Sequence, residues 1–231
     1  MEPLTVALPK GRLLKPAARL FRRLGWRCDL DNGSRQLLIS ETNQEGIGPD
    51  HMRFLLVKPA DVPVYVEHGA ADLGIVGQDV LWEGGRDVNE PLQLDFGHCR
   101  LVLAGTPSQR ERDFWLATGL RIATKYPRLT RAHFQQRGIS VEIIPLSGSI
   151  ELAPLVGLSD LVADVVETGQ TLRDNGLVAL EEIVTCQAAL IINRVSHRLR
   201  LAEIQDLLAA MEADVSLQPA AVDLDLEGDA T

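Results

Sequence analysis

Asp164-Val165-Val166-Glu167-Thr168-Gly169-Gln170-Thr171-Leu172 is the stretch on which the reading of this chain turns. Upstream, Leu161, Val162, Ala163, Val165 and Val166 make an apolar run of strand length; downstream, Thr171 to Asn175 followed by Gly176 reads as a short helix with a glycine stop. The loop between them sits at a strand-to-helix turn. Its helix-start N–H groups lack intrahelical acceptors, Gly169 lets the main chain approach a ligand, and two threonine hydroxyls stand beside it, which together suit a phosphate. Asp164, at the carboxyl end of the strand, can accept hydrogen bonds from two sugar hydroxyls, so the combination points to a ribose 5-phosphate. An ordinary helix cap uses the same residue types, and the stretch matches neither G-x-x-x-x-G-K-[ST] nor G-x-G-x-x-G, so the standard nucleotide loops are not supported.

Working outward, short apolar runs alternate with helical patterns. Leu4 to Leu8 reads as a first strand, followed by a helix with Leu13, Ala17, Leu20, Phe21 and Leu24 on one face and Gly25 as its stop. Further strands are expected at Leu37–Ser40, Phe54–Val57, Leu73–Val76, Leu101–Ala104, Arg121–Thr124, Val141–Ile144, Leu161–Val166 and Ala188–Ile192, and a long final helix from Ser196 to about Ala213 with Leu199, Ile204, Leu207, Leu208 and Met211 as its stripe. Helical stretches between strands are what parallel crossovers require, so the class is α/β. Two segments resemble each other, Ala71-Asp72-Leu73 through Leu81 and Ser159-Asp160-Leu161 through Leu172: each sets Asp-Leu before an apolar strand, a small-residue loop and a helix. The echo suggests two similar lobes with a ligand cleft between them.

Composition sets the outer limits. At 231 residues with 45% hydrophobic content the chain can build one large domain or two lobes. No apolar run approaches the roughly 18 residues of a membrane span, and Glu2 with Pro9-Lys10 is unlike a signal peptide, so a cytoplasmic location and no membrane partner are expected. Cys28, Cys99 and Cys186 are far apart without C-x-x-C, which favours buried reduced thiols over a disulfide frame or zinc site. A net charge of −9 argues against nucleic acid, although Asp223, Asp225, Glu227 and Asp229 carry much of it in a terminal stretch expected to be disordered. No H-E-x-x-H or similar pattern joins the histidines, and no nucleophilic triad is evident.

Cations supply the other half of a polyanion site. Pro9-Lys10-Gly11-Arg12 follows the first strand and opens the first helix, combining a helix start, a glycine and two positive charges, although a solvated turn has the same composition. Arg35 and Arg53 lie beside strands of the same expected lobe, and Gly77 is the point in Asp72-Leu73-Gly74-Ile75-Val76-Gly77 where a ligand could come close.

Taken in order, Leu8-Pro9-Lys10-Gly11-Arg12, Ala71 to Gly77, Gly148-Ser149-Ile150-Glu151-Leu152-Ala153-Pro154 and Asp164 to Leu172 resemble the short-form ATP phosphoribosyltransferases, over roughly residues 4 to 212. The resemblance implies a two-lobed fold of the type II periplasmic-binding-protein kind with the active site in the interlobe cleft. On that pattern lobe I comprises residues 1–95 and 181–213, lobe II residues 96–180, and residues 214–231 a disordered acidic tail. It also implies the first reaction of histidine biosynthesis: adenine N1 of ATP attacks the anomeric carbon of 5-phosphoribosyl 1-diphosphate, and pyrophosphate leaves with inversion. Adenine N1 is already nucleophilic, so no serine or cysteine need be activated.

By that resemblance Glu167, Thr168, Gly169, Gln170 and Thr171 hold the 5-phosphate and Asp164 the ribose hydroxyls. Lys10, Gly11, Arg12, Arg53 and Gly77 belong with ATP and pyrophosphate, Arg12 and Arg35 stabilise the leaving charge, and Gly148, Ser149 and Glu151 line the cleft, with Ser149 as a plain helix N-cap explaining them nearly as well. Magnesium is expected to be carried mainly by substrate, without protein ligands. The implied partner is a regulatory subunit resembling histidyl-tRNA synthetase, bound to a homodimer of this chain in a hetero-oligomer, since the chain ends before any regulatory domain of its own. The competing readings are a non-catalytic binding or sensor protein of the same fold, and a porphobilinogen-polymerising deaminase, which needs a cofactor-bearing cysteine in a context that none of the three offers.

Overall fold

The computed structural model describes residues 2–28, 37–43, 49–110 and 119–217. Within them the chain divides into two compact units, residues 1–76, 87–96 and 188–231 forming the first and residues 77–86 and 97–187 the second.

The first unit is built on a six-stranded sheet ordered β2-β3-β1-β4-β11-β5. Its strands are β1 (Leu4–Pro9), β2 (Leu38–Thr42), β3 (His51–Val57), β4 (Leu73–Gly77), β5 (Asn89–Gln93) and, late in the chain, β11 (Ala188–Ile192). Every residue of β1, β4 and β11 is buried, the pattern of central strands covered on both faces, whereas the edge strands β2 and β5 have no fully buried residue. β1 pairs in parallel with β3 and β4, and β2 closes one side antiparallel to β3. Helix α1 (Leu14–Arg23) buries Ala17, Ala18, Leu20 and Phe21, and the Phe21 ring meets Phe54 edge to face with centroids 4.9 Å apart. Gly25, at φ +92°, turns the chain out of this helix as expected. Gly74 has a different task. A Cβ there would lie 2.8 and 2.9 Å from methyl groups of Val62 and Val66, so the missing side chain is what lets helix α2 (Val62–Glu67) lie close on β4.

The second unit holds a five-stranded sheet ordered β10-β6-β9-β7-β8, made of β6 (Cys99–Gly105), β7 (Arg121–Thr124), β8 (Glu142–Pro145), β9 (Leu161–Val166) and β10 (Val178–Cys186). Strands β7, β8 and β9 run parallel, while β6 and β10 are antiparallel additions. Helices α3 (Gln78–Gly84), α4 (Pro127–Gln136), α5 (Leu152–Leu155) and α6 (Gln170–Asp174) belong to this unit. All three cysteines are buried and outside any disulfide, and among the described residues no helix is long and apolar enough to cross a membrane.

The units differ from the expected lobes at two places. Residues 77–86 belong with the second unit because Glu83 accepts the Arg128 and Leu129 N–H groups at the start of α4. Residues 181–187 do so because β10 pairs with β6 along its length and Glu181 bonds Arg137 of α4 at 2.6 Å. The final helix also differs from its expected form. It is two helices, α7 (Arg194–Leu199) and α8 (Leu201–Leu217), and Leu199, expected in the apolar stripe, is 80% exposed. The break falls at Arg200, whose guanidinium turns to Asp72 and Glu203, while Ile204, Leu207 and Met211 form the buried stripe of α8. Helix α8 runs four residues past Ala213, and Asp214, assigned to the tail, clamps Arg23 of α1 through two 2.7 Å bonds. Residues 218–231 lie outside the described residues.

The repeated Asp-Leu proves to be one device used twice. Asp72 accepts the Thr5 N–H through Oδ2 at 2.8 Å while its own N–H donates to Thr5 O at 2.8 Å. Asp160 does the same with Arg121, at 2.8 and 2.9 Å. Each aspartate thus pins the start of a strand at the amino end of its sheet, and each is joined by an arginine, Arg200 for Asp72 and Arg121 for Asp160. Burial alone would raise the Asp160 carboxyl; the bonds from the Arg121 backbone and guanidinium overcome it and hold the group below 3.8.

Candidate functional site

The predicted phosphate loop forms as a tight turn between β9 and α6. Gly169 is the N-cap of α6 at φ +75°, a left-handed conformation that residues with a side chain adopt at a cost. No side chain caps the helix in the usual way. The Gln170 N–H points at Thr168 Oγ1 from 3.4 Å, and helix geometry leaves the N–H groups of Thr171 and Leu172 without intrahelical acceptors. Glu167, Thr168, Gln170 and Thr171 are exposed around this turn. Arg173, one turn into α6, donates to Gln170 Oε1 at 3.1 Å and lies over Gly169, 3.1 Å from where a Cβ would stand.

Asp164 lies two residues before the end of β9, half-buried, with Oδ1 accepting the Val165 N–H at 2.8 Å. Burial pushes its carboxyl up from 3.8 to about 6; the Val165 bond and Lys125 oppose this, while Glu151 and Asp79 add to it. Glu151 is therefore within electrostatic reach of Asp164, in the same unit. Ser149 is not a helix N-cap. It sits at φ +50° before α5, whose N-cap position is Glu151, and a non-glycine residue in that conformation marks a loop held by its surroundings.

In the first unit, Lys10, Gly11 and Arg12 are exposed at the carboxyl end of β1, with Gly11 at φ +95° and open space where its Cβ would be. The Lys10 N–H donates to Val57 O at 2.8 Å, so this loop lies against the end of β3, beside the exposed Lys58. Arg53 is not brought to this group. The parallel register sets Thr5 beside Arg53 and Pro9 beside Val57, which leaves Arg53 at the opposite, amino edge of the sheet, roughly 13 Å away along the strand. Gly77 is not an open approach either, because the space its Cβ would take is filled by the Asp79 carboxylate. Arg35 lies outside the described residues.

The sequence reading missed four residues. Asp79 is buried at the start of α3 and accepts the Tyr126 hydroxyl at 2.8 Å; Tyr126 and Lys125 come from the β7–α4 turn, and Lys58 follows β3. Burial and then Asp79 raise the Tyr126 hydroxyl, which remains a donor at any ordinary pH. The available signal was Thr124-Lys125-Tyr126-Pro127, a strand end running into a proline-started helix.

Residues 58–213 match the HisG family, described as ATP phosphoribosyltransferase. The ATP phosphoribosyltransferase of Caldanaerobacter subterraneus subsp. tengcongensis is 46% identical over 208 residues, covering 90% of this chain and 95% of that protein. The chain belongs to the ATP phosphoribosyltransferase family. A solved HisG:HisZ complex of ATP phosphoribosyltransferase from Thermotoga maritima contains a chain that superposes with a TM-score of 0.74 at 33% identity, covering 93% of this chain and all of that one. The periplasmic aliphatic sulphonate binding protein SsuA of Escherichia coli superposes with a TM-score of 0.57 at 15% identity, covering 94% of this chain and 74% of its own, a likeness of fold alone. This transferase therefore has the type II two-lobed fold expected from its motifs, and its membership counts against both the sensor and the deaminase readings. The family match includes the two Asp-Leu segments, the 148–154 segment and the 164–172 loop, so each of those elements lies within the shared region.

Proposed function

We propose that this chain is the catalytic subunit for joining adenine N1 of ATP to C1 of 5-phosphoribosyl 1-diphosphate, releasing pyrophosphate and beginning histidine biosynthesis. The carrying observation is the β9–α6 turn: a left-handed Gly169 opens a helix with no side-chain cap at the end of the strand that carries Asp164, in a chain that belongs to this family. In this reading residues 167–171 take the 5-phosphate through backbone N–H groups and hydroxyls. Asp164, ionised at neutral pH, accepts from the ribose hydroxyls and fixes the sugar for attack. Lys10 and Arg12, joined by Lys58, receive the negative charge of the ATP phosphates or of the departing pyrophosphate. Arg35 is retained as a second cation for the leaving group on the strength of the family pattern, and Glu151 and Ser149 border the sugar site.

Magnesium accompanies the substrate's diphosphate oxygens and water, where it offsets charge on the leaving group. Among the described residues no three His, Cys, Asp or Glu side chains gather into a site for an ion. The chain works in the cytoplasm, in a hetero-oligomer with a histidyl-tRNA-synthetase-like regulatory subunit; the Thermotoga maritima HisG:HisZ complex supports such a partner. The deciding assay incubates the purified chain with ATP, 5-phosphoribosyl 1-diphosphate and magnesium, with and without the regulatory subunit, and measures phosphoribosyl-ATP by mass spectrometry. Adduct and pyrophosphate in equal amounts are expected. Binding of the sugar diphosphate with no adduct under either condition would reject the assignment.

A further inference from the structure

Away from the loops that hold substrate, the first unit has a pocket of about 530 Å³ at the amino edge of its parallel strands. That volume lies within the usual range for small-molecule sites. Its lining comes from the starts of β1 and β3 through Thr5 and Arg53, from Asp72 and Ser196, and from the α7–α8 junction.

The charges lining it are not equivalent. Arg200 is committed: Nη1 reaches Asp72 at 3.3 Å, Nε reaches Glu203 at 3.0 Å and Nη2 reaches Glu2 O at 2.9 Å. Asp72 is equally engaged, accepting from Thr5 N–H, Ser196 Oγ and Arg200. Arg53, by contrast, makes one hydrogen bond among the described residues, from Nε to Thr5 Oγ1 at 3.2 Å, and no ion pair. Its two Nη groups make no hydrogen bond among the described residues, and Arg53 lines the pocket. Pro3, Ala70, Leu199 and Leu201 add apolar surface to the lining, and Leu199 and Leu201 are 80% and 46% exposed.

We infer that this pocket is a second ligand site, for a small monocarboxylate with a short branched apolar tail, gripped by the Arg53 fork. A planar carboxylate matches two parallel guanidinium donors with its two oxygens. A phosphate or other multiply charged anion is disfavoured, since Asp72, Glu203 and Glu2 line the same pocket and Arg200 is already spent on the first two. The tail covers Leu199 and Leu201, which otherwise leave apolar surface in water. The site lies at the opposite strand ends from Lys10 and Lys58, so a ligand here does not compete for the Lys10 loop, and the inference stands independently of the reaction proposed above.

The test is calorimetric titration of the full chain with 4-methylpentanoate, its neutral amide and inorganic phosphate. Saturable binding of the carboxylate is expected, at least tenfold tighter than either control. Arg53→Gln should weaken it at least tenfold, and Ala202→Phe, which fills the pocket from α8 without touching the fork, should abolish it. Equal affinity for acid and amide, a preference for phosphate, or wild-type binding by Ala202→Phe would overturn the assignment; the wild-type comparison of acid with amide decides the matter even if Arg53→Gln folds poorly.

Discussion

Replacing Asp164 with Asn should make the protein more stable and the enzyme worse, over one interval of pH. Burial raises the folded carboxyl to about 6 from an ordinary 3.8, with Glu151 and Asp79 adding to the rise. The folded state therefore holds this proton more tightly than the unfolded chain. Its favourable contribution is complete below about 3.8, is lost as the pH climbs through about 6, and stays lost above. The gap sets a ceiling of about 3 kcal/mol at neutral pH, from about 1.4 kcal/mol for each pH unit. An amide still has polar groups to satisfy, which leaves an expected gain of about 1–2 kcal/mol. Urea unfolding at pH 7.5 should show that gain, and at pH 4 it should have nearly vanished. Binding runs the other way. A carboxylate holding two ribose hydroxyls is worth roughly tenfold to a hundredfold in affinity, so wild-type binding of 5-phosphoribosyl 1-diphosphate should strengthen as the pH rises through 6. The ligand's phosphate titrates in the same range, and the Asn variant supplies the baseline for that common effect. A variant less stable than wild type at pH 7.5, or one whose affinity tracks wild type at every pH, would refute the argument.

Three further outcomes follow from the packing around the site. Gly169→Ala must hold φ near +75° and displace Arg173 Nη1 from 3.1 Å; calorimetry should show sugar-diphosphate binding weakened at least tenfold and ATP binding changed much less, whereas equal losses would remove the loop from the phosphate site. Tyr126→Phe leaves the buried Asp79 carboxylate without its 2.8 Å donor and should cost about 1–3 kcal/mol in urea unfolding, with no measurable loss arguing that water replaces the hydroxyl. Gly74→Ala puts a methyl group against Val62 and Val66 and should destabilise by about 1–3 kcal/mol; restoration by Val66→Ala in the double variant would identify overpacking as the cause.

The β9–α6 turn was legible because all its parts are local: an apolar run, a glycine and a helix stop specify a strand, a turn and a helix within the sixteen residues from Leu161 to Gly176. The Asp-Leu echo was equally legible as a repeat, yet its purpose was not, because each aspartate acts on the start of a strand far off in sequence, Asp72 on Thr5 and Asp160 on Arg121. Two strands went unrecognised for their own reasons. β5 carries Pro91 and polar neighbours, as edge strands can, and β10 is shifted in register between Ala179 and Glu181 and again between Glu182 and Val184, so its alternation breaks twice. Missing β10 in turn misplaced the boundary at Glu181.

Arg53 and Lys58 show where a one-dimensional reading stops. Both are cations on or just after β3, five positions apart, and nothing in their flanking residues ranks one above the other as a phosphate ligand. Pairing with β1 separates them: Arg53 stands beside Thr5, where the strands begin, and Lys58 follows Val57, which faces Pro9 where they end. In a parallel sheet those two edges are chemically unequal, since loops leaving the carboxyl ends lead into helix starts whose N–H groups attract anions, while the amino edge has none of these. The Lys10 loop bonded to Val57 O therefore puts Lys58 beside the loop proposed for the phosphates. The same register sets Arg53 in the lining of a pocket at the other edge, so a single pairing separates the two charges that the sequence places five positions apart.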